Sequence, residues 1–307
     1  MASVGRAWSG VLLCALLCVL PARAQADDAA GVEVSLLSYN VHGLSWLFAK
    51  DNPEGRVAAI GWLANRYDVV LLQEDFEYHD EIGRQMTGAV AFRGNGMRGD
   101  PRLILTKLLL LPFEIALPDF SFPYGSGLTA FVSSGAGEVV DEARHSFDKC
   151  SGWFERSFDC WATKGALRLR MRLENGAEVD VYNTHLDAGQ THKGIEVRAR
   201  QLNHLVRWIE RESAGRALVV GGDFNTALSR MENVEAMRSF KNRTGLVDVG
   251  AGPELPQWPR RDFIFVRDGD HVALDVVDSG EALEFVNRTR ALSDHPASYV
   301  RLEASLR

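Results

Sequence analysis

A-L-V-V-G-G-D-F-N, residues 217–225, decides the fold. Apolar residues run into two glycines, then an acid, an aromatic and an amide. Such a run, bounded by glycines, reads as a strand buried on both faces. Side chains alternate across a strand, so Asp223 and Asn225 point one way while Phe224 packs on the other side. A carboxylate and a carboxamide two residues apart form a compact pair of oxygen donors, which hard cations such as Mg²⁺ and Ca²⁺ accept. The competing reading is a strand that ends in a turn, where Gly, Asp and Asn are common anyway. The two glycines lack Cβ atoms and are expected to let a substrate or a neighbouring loop approach the strand end.

Working outward, residues 194–212 form the clearest helix, with Ile195, Leu202, Leu205, Val206 and Ile209 on one side. Gly215 ends it. Before the helix, residues 165–173 (G-A-L-R-L-R-M-R-L) alternate apolar and basic residues like a half-exposed strand, with Arg168, Arg170 and Arg172 on a solvated face. Asn175-Gly176 is a hairpin turn, and residues 178–184 return as the partner strand into His185-Leu186-Asp187. Residues 33–39 and 68–73 are two more buried strands, separated by a helix over 54–67. They end at Asn40 and at Glu74-Asp75. A short helix is expected at 77–87, then a loop-rich stretch to about residue 127. Within it, residues 103–111 suit either a strand or a helix lying over the site. Strands at 128–133, 262–266 and 297–302 and a helix at 231–242 complete the pattern. Polar residues sit just past several buried strands, and strand ends gathered in one crevice are where sites form in sheet-based folds.

The chain has 307 residues, 46% hydrophobic and 24% charged, an ordinary globular composition. Arg6, an apolar run over residues 8–20 and Ala24-Gln25-Ala26 have the form of a secretory signal peptide. The expected division is a leader over 1–26 and one domain over 27–307, in a secreted or periplasmic protein. The apolar run is too short for a transmembrane segment. The formal net charge is −7, and losing Arg6 and Arg23 with the leader makes it more negative. Such a surface does not attract polyanions in general, so a phosphate must be met locally by a metal or a few basic side chains. Cys150 and Cys160 survive the leader's removal, and an even pair this close in an oxidising compartment reads as a disulfide.

With these stretches in hand the chain resembles the endonuclease/exonuclease/phosphatase superfamily, whose relatives include DNase I and the neutral sphingomyelinases. The matching motifs are Y-N-V-H-G at 39–43, L-L-Q-E at 71–74, N-T-H-L-D at 183–187, G-G-D-F-N at 221–225, R-D-F-I-F at 261–265 and S-D-H-P at 293–296. The resemblance implies an α/β fold, a four-layer α/β sandwich of two mixed sheets packed face to face with helices outside. It makes Glu74 the principal Mg²⁺ ligand, with Asn40 alongside and Asp294 close to the metal; Mn²⁺ or Ca²⁺ would suit the same donors. By the same resemblance Asp223 orients the attacking water, and Asn225 binds a phosphate oxygen or the metal. His295 is the general base, with Asp262 holding its ring. His185 donates to a phosphate oxygen or protonates the leaving group. The chemistry agrees: a phosphodiester needs its charge neutralised and a nucleophile aligned, which a metal and a carboxylate-steered histidine supply. Asp187 reads as a structural partner and His42 as a loop histidine.

Residues 124–131 (Y-G-S-G-L-T-A-F) and 161–165 (W-A-T-K-G) look like segments of neutral sphingomyelinases, where a lysine-glycine pair lies near the site. Lys164 is accordingly expected to meet the substrate phosphate as a point charge. Aromatic residues between the cysteines suit either a lipid headgroup or bilayer interface, with transient membrane-surface contact, or packing under their own loop. Where those relatives continue into S-[RK]-x-P-I, this chain has Ser133-Ser134-Gly135-Ala136-Gly137. Three readings stay open: a Mg²⁺-dependent phosphodiesterase on sphingomyelin or a similar phospholipid, a nuclease using the same centre, and a non-catalytic binding protein. The acidic charge favours a phospholipid headgroup over nucleic acid. A monomer is expected.

Overall fold

A computed structural model describes residues 30–46, 52–116, 122–154, 159–249, 260–287 and 290–307. The expected leader and Phe158 of the aromatic cluster lie outside the described residues. The strands in chain order are β1 (Val32–Asn40), β2 (Val69–Gln73), β3 (Ala89–Arg93), β4 (Thr129–Ser133), β5 (Glu138–Ser146), β6 (Gly165–Arg172), β7 (Glu178–His185), β8 (Ala217–Asp223), β9 (Val247–Asp248), β10 (Asp262–Arg267), β11 (Val272–Glu281), β12 (Val286–Asn287), β13 (Arg290–Ala291) and β14 (Ser298–Leu306). Two six-stranded sheets result, ordered β11-β14-β1-β2-β4-β3 and β5-β6-β7-β8-β10-β9. Both are mixed: β1 runs parallel to β2 and β7 to β8, while their other neighbours are antiparallel.

The period-2 alternation of the central strands makes the layers. In β8, Ala217 and Val219 enter the core between the sheets, while Leu218 and Val220 pack outward beneath the helices His192–Glu212 and Met231–Thr244. In β1, Leu36 faces the inter-sheet core and Leu37 faces the helix Pro53–Ala64. Helix, sheet, sheet and helix therefore stack in four layers, as expected.

The opening glycines serve these layers rather than a substrate. A Cβ at Gly221 would lie 2.8 Å from Leu71 Cδ1 of the facing sheet, and one at Gly222 would be driven into the Thr184 carbonyl of β7. Residues 103–111 resolve as part of the helix Pro101–Ala116. Arg168 is not solvated: it is 2% exposed, and its guanidinium meets Asp141 at 2.5 Å and Asp180 at 3.8 Å. Arg170 also bonds Asp180, so the basic strand face is folded over a buried carboxylate. Ser133 pairs with Asp68 at the entrance of β2, so the turn after it lies at the end of the sheet opposite Gln73 and Glu74. Its departure from the sphingomyelinase pattern therefore does not touch the site.

Candidate active site

Register brings the site together. Across three neighbouring strands His185 pairs with Asp223 and Asp223 with Asp262. On the facing sheet Asn40 pairs with Gln73, one residue before Glu74. Behind this row a buried polar clasp joins the sheets: Gln73 Nε2 donates to Asn183 Oδ1 at 2.8 Å, and Asn183 Nδ2 donates to the Leu72 and Thr129 carbonyls. Three non-glycine residues just past strand ends have positive φ: His42 (48°), Glu74 (56°) and Asn225 (48°). Such conformations are uncommon and concentrate where a site constrains the chain.

Asp223 is the hub. Its Oδ2 accepts from Asn40 Nδ2 at 3.0 Å and lies 3.4 Å from His185 Nε2 and 3.8 Å from His295 Nε2. Its Oδ1 accepts from the Asn225 backbone N–H at 2.9 Å. The Asn225 side-chain amide donates to the Leu186 carbonyl and sits 3.3 Å from His185 Nε2. His295 Nδ1 lies 2.8 Å from Asp262 Oδ2. The Ser293 hydroxyl donates to the Asn40 carbonyl, which fixes the S-D-H-P turn against β1. Glu74 Oε1 lies 3.9 Å from His185 Nε2, and its Oε2 lies 3.6 Å from His42 Nδ1.

The charges hold one another. Burial alone would raise the Glu74 pKa, but His42, His185, Lys164 and Asn40 overcome it and hold it at about 2. Burial opposes ionisation of Asp223 too, yet His295 and His185 keep that carboxyl well below the usual range. Burial pushes the Asp262 pKa up, against the pull of His295. Desolvation would lower the His295 pKa, but the Asp262 and Asp223 carboxylates push it up to about 10.

The remaining expected residues fall at the edges. Asp294 is 63% exposed at its side chain and approaches His42 Nδ1 at 3.4 Å, on the rim. Lys164 is largely covered, its side chain 10% exposed; its ammonium meets Asp159 Oδ1 at 2.6 Å and donates to the Leu186 carbonyl at 3.0 Å. Asp187 does not partner His185. It accepts from the Ser151 and Gly189 backbone N–H groups and so ties down the cysteine loop. Cys150 and Cys160 are bonded, Sγ–Sγ 2.02 Å. Sequence reasoning weighed His42 as a ligand and settled on a loop histidine; in the structure it lies in the turn past β1 with its Nδ1 3.6 Å from Glu74 Oε2. Sequence reasoning missed Asp159, which no periodicity marks.

Glu74, His185 and Asp223 each place a ligand atom within 4.8 Å of the others, as do Asp223, Asp262 and His295. In the second group Asp262 and His295 already hold each other. The first group, with Asn40 beside it, joins two ionised carboxylates to an amide, and this oxygen-rich chemistry fits a hard divalent cation.

The Endonuclease/Exonuclease/phosphatase family profile matches residues 37–295, which include every strand end described above. The chain belongs to this family. Sphingomyelinases of Mycobacterium bovis and Mycobacterium tuberculosis are 30% identical over 294 residues, covering 89% of this chain and 53% of theirs. The chain thus spans about half the length of those curated relatives, and in sequence it is sphingomyelinase-like. Among solved structures, sphingomyelinase C from Streptomyces griseocarneus superimposes with a TM-score of 0.61 at 16% identity, covering 88% of this chain and 99% of that one. A beta toxin mutant from Staphylococcus aureus with bound magnesium ions gives 0.60 at 16% identity, covering 90% and 100%. The human Nocturnin catalytic domain gives 0.62 at 18% identity, covering 89% and 95%. At these identities the superpositions establish the fold, which is the expected one.

Proposed function

We propose that this family member is a divalent-metal-dependent phosphodiesterase acting on sphingomyelin or a related phospholipid. The observation that carries the reading is the Asp223 hub, ringed by Glu74, Asn40, His185, Asn225 and the His295–Asp262 pair. Glu74, Asp223 and Asn40 would hold the cation, Mg²⁺ first and Mn²⁺ or Ca²⁺ as alternatives, with Asp294 near it at the rim. When bound, the cation would supply Lewis-acid neutralisation of the phosphate and of Asp223, one of the two carboxylates that hold the His295 proton. Asp223 orients a water for in-line attack on phosphorus, and His295 Nε2 accepts its proton while Asp262 fixes the ring. His185 and the Asn225 amide face the phosphate oxygens. The P–O bond to the lipid alcohol breaks, and His185 protonates the leaving oxygen. Lys164 adds positive charge from beneath.

The lipid substrate rests on the sphingomyelinase relatives and on the acidic net charge of the chain. We assign residues 1–26 to a leader and 27–307 to the catalytic domain, acting as a secreted or periplasmic monomer. Incubating the purified protein with sphingomyelin vesicles, phosphatidylcholine vesicles and plasmid DNA, each with and without Mg²⁺, tests the substrate. Phosphocholine release from sphingomyelin is expected; nicked plasmid with untouched lipid would overturn the lipid reading and favour a nuclease.

A further inference from the structure

The helix Pro101–Ala116 buries one residue fully, Leu103, and leaves Leu105, Leu108 (63% exposed), Leu109 (67%), Phe113 and Ile115 (78%) open. At 3.6 residues per turn these exposed side chains cover about half of the helix circumference. A partner helix groove takes a narrow stripe of anchors. A broad apolar surface instead suits a fluid acyl environment that wraps whatever enters it. At about 1.5 Å per residue the helix is ~24 Å long, short of the ~30 Å hydrocarbon core. Among the described residues no helix is long and apolar enough to cross a membrane.

Location decides the occupant. Arg93 pairs with Thr129 at the end of the sheet nearest Glu74, and the chain enters the helix from there. Arg98 N–H donates to Thr163 Oγ1 at 2.8 Å, next to Lys164, and the Arg102 guanidinium lies 4.1 Å over the Trp153 ring. Trp153 packs on Trp161, and beside them Phe154 is 83% exposed. The apolar helix and the aromatic loop therefore rise from the same end of the molecule as the site and continue its rim. The charges described at the helix are paired: Arg102 with Asp100 and Lys107 with Glu114. With a formal charge of −7 the chain as a whole does not attract anionic lipid.

We infer that the helix Pro101–Ala116, with Phe154, is a docking element that inserts in the plane of a zwitterionic phosphocholine-lipid surface and sets the site against the headgroups. The inference rests on the lipid reading of the site and adds the element that carries the site to the bilayer. Insertion is driven by apolar burial, so salt leaves it unchanged.

The test is co-sedimentation of the full chain with sphingomyelin–phosphatidylcholine vesicles, and with anionic phosphatidylserine vesicles beside them, in EDTA at low and high salt, so that binding is read without turnover. Binding at both salts is expected. Leu108→Glu combined with Leu109→Glu should lower the bound fraction about tenfold or more, and Phe154→Ser should weaken it. Leu283→Glu, an exposed leucine outside the patch, should bind like the unaltered chain. Circular dichroism confirms that each variant is folded. Unchanged binding by the folded double variant would overturn the inference, as would binding confined to anionic vesicles. A dimer broken by the double variant, with no vesicle binding, would assign the patch to a second copy instead. Hydrolysis of detergent-dispersed sphingomyelin by the unaltered chain is measured separately. Its absence alongside vesicle binding sinks the substrate reading and keeps the docking element; its presence without vesicle binding does the reverse.

Discussion

Asp223 and Asp262 stand directly opposite each other on β8 and β10, a placement that like charges ordinarily disfavour. His295 relieves it by facing both carboxylates. The histidine pKa is thereby raised from 6.5 to about 10, so its stabilising contribution is complete below pH 6.5 and is lost as pH rises through 10. Glu74 has the opposite sign. Its pKa falls from 4.5 to about 2, so its contribution is present above 4.5 and disappears as pH falls through 2. In EDTA, Tm should therefore be highest between these limits and fall on either side. His295→Gln should flatten the alkaline arm and leave the acid arm. An alkaline arm unchanged in that variant would show that His295 does not carry it. At this scale Glu74, Asp223, Asp262 and His295 were singled out through their motifs: Glu74 follows β2 and Asp223 ends β8, while Asp262 opens β10 and His295 precedes β14. His42 and Asp159 were not: His42 meets Glu74 from the end of another strand, and Asp159 joins Lys164 to the Ala188 backbone N–H, contacts that only the tertiary fold supplies.

At the scale of elements, the central strands were readable because both faces are buried and the apolar run is continuous. The strands that escaped sequence reading are β3, β5, β9 and β11, the edges of the two six-stranded sheets, and the short pair β12 and β13. An edge strand carries polar residues on its solvent side, so E-V-V-D-E-A-R-H-S of β5 has no clear apolar period. Residues 103–111 were ambiguous for a related reason: a helix apolar around much of its circumference has no period to detect. G-G-D-F-N was read correctly as a strand end, but its glycines answer to neighbouring strands rather than to a ligand. Gly222→Ala should cost about 3 kcal/mol, because the Thr184 carbonyl belongs to backbone that cannot step aside. A chemical-denaturation midpoint within error of the unaltered protein would refute that packing role.

For the whole molecule, two sheets bring the ends of β1 and β2 over the ends of β7 and β8, and the loops of that one end carry the site, the disulfide loop and the apolar helix. The four-layer architecture was legible through the family resemblance that the ordered motifs carry. The division of labour within the end was less so, because long-range register decides which turns share it. Register removes the 134–137 turn from the site and brings the 161–165 segment in: Tyr124 N–H donates to the Trp161 carbonyl, and Thr163 N–H to the Gly125 carbonyl. The two stretches singled out for their likeness to sphingomyelinases thus hold each other beside Lys164.

Phosphocholine release from detergent-dispersed sphingomyelin, followed in EDTA and after adding Mg²⁺, bears most directly on this site. The unaltered chain should be silent in EDTA and active with Mg²⁺, while Glu74→Gln and His295→Ala should each lower kcat by about 100-fold or more. Turnover that persists in EDTA, or full activity in His295→Ala, would contradict it.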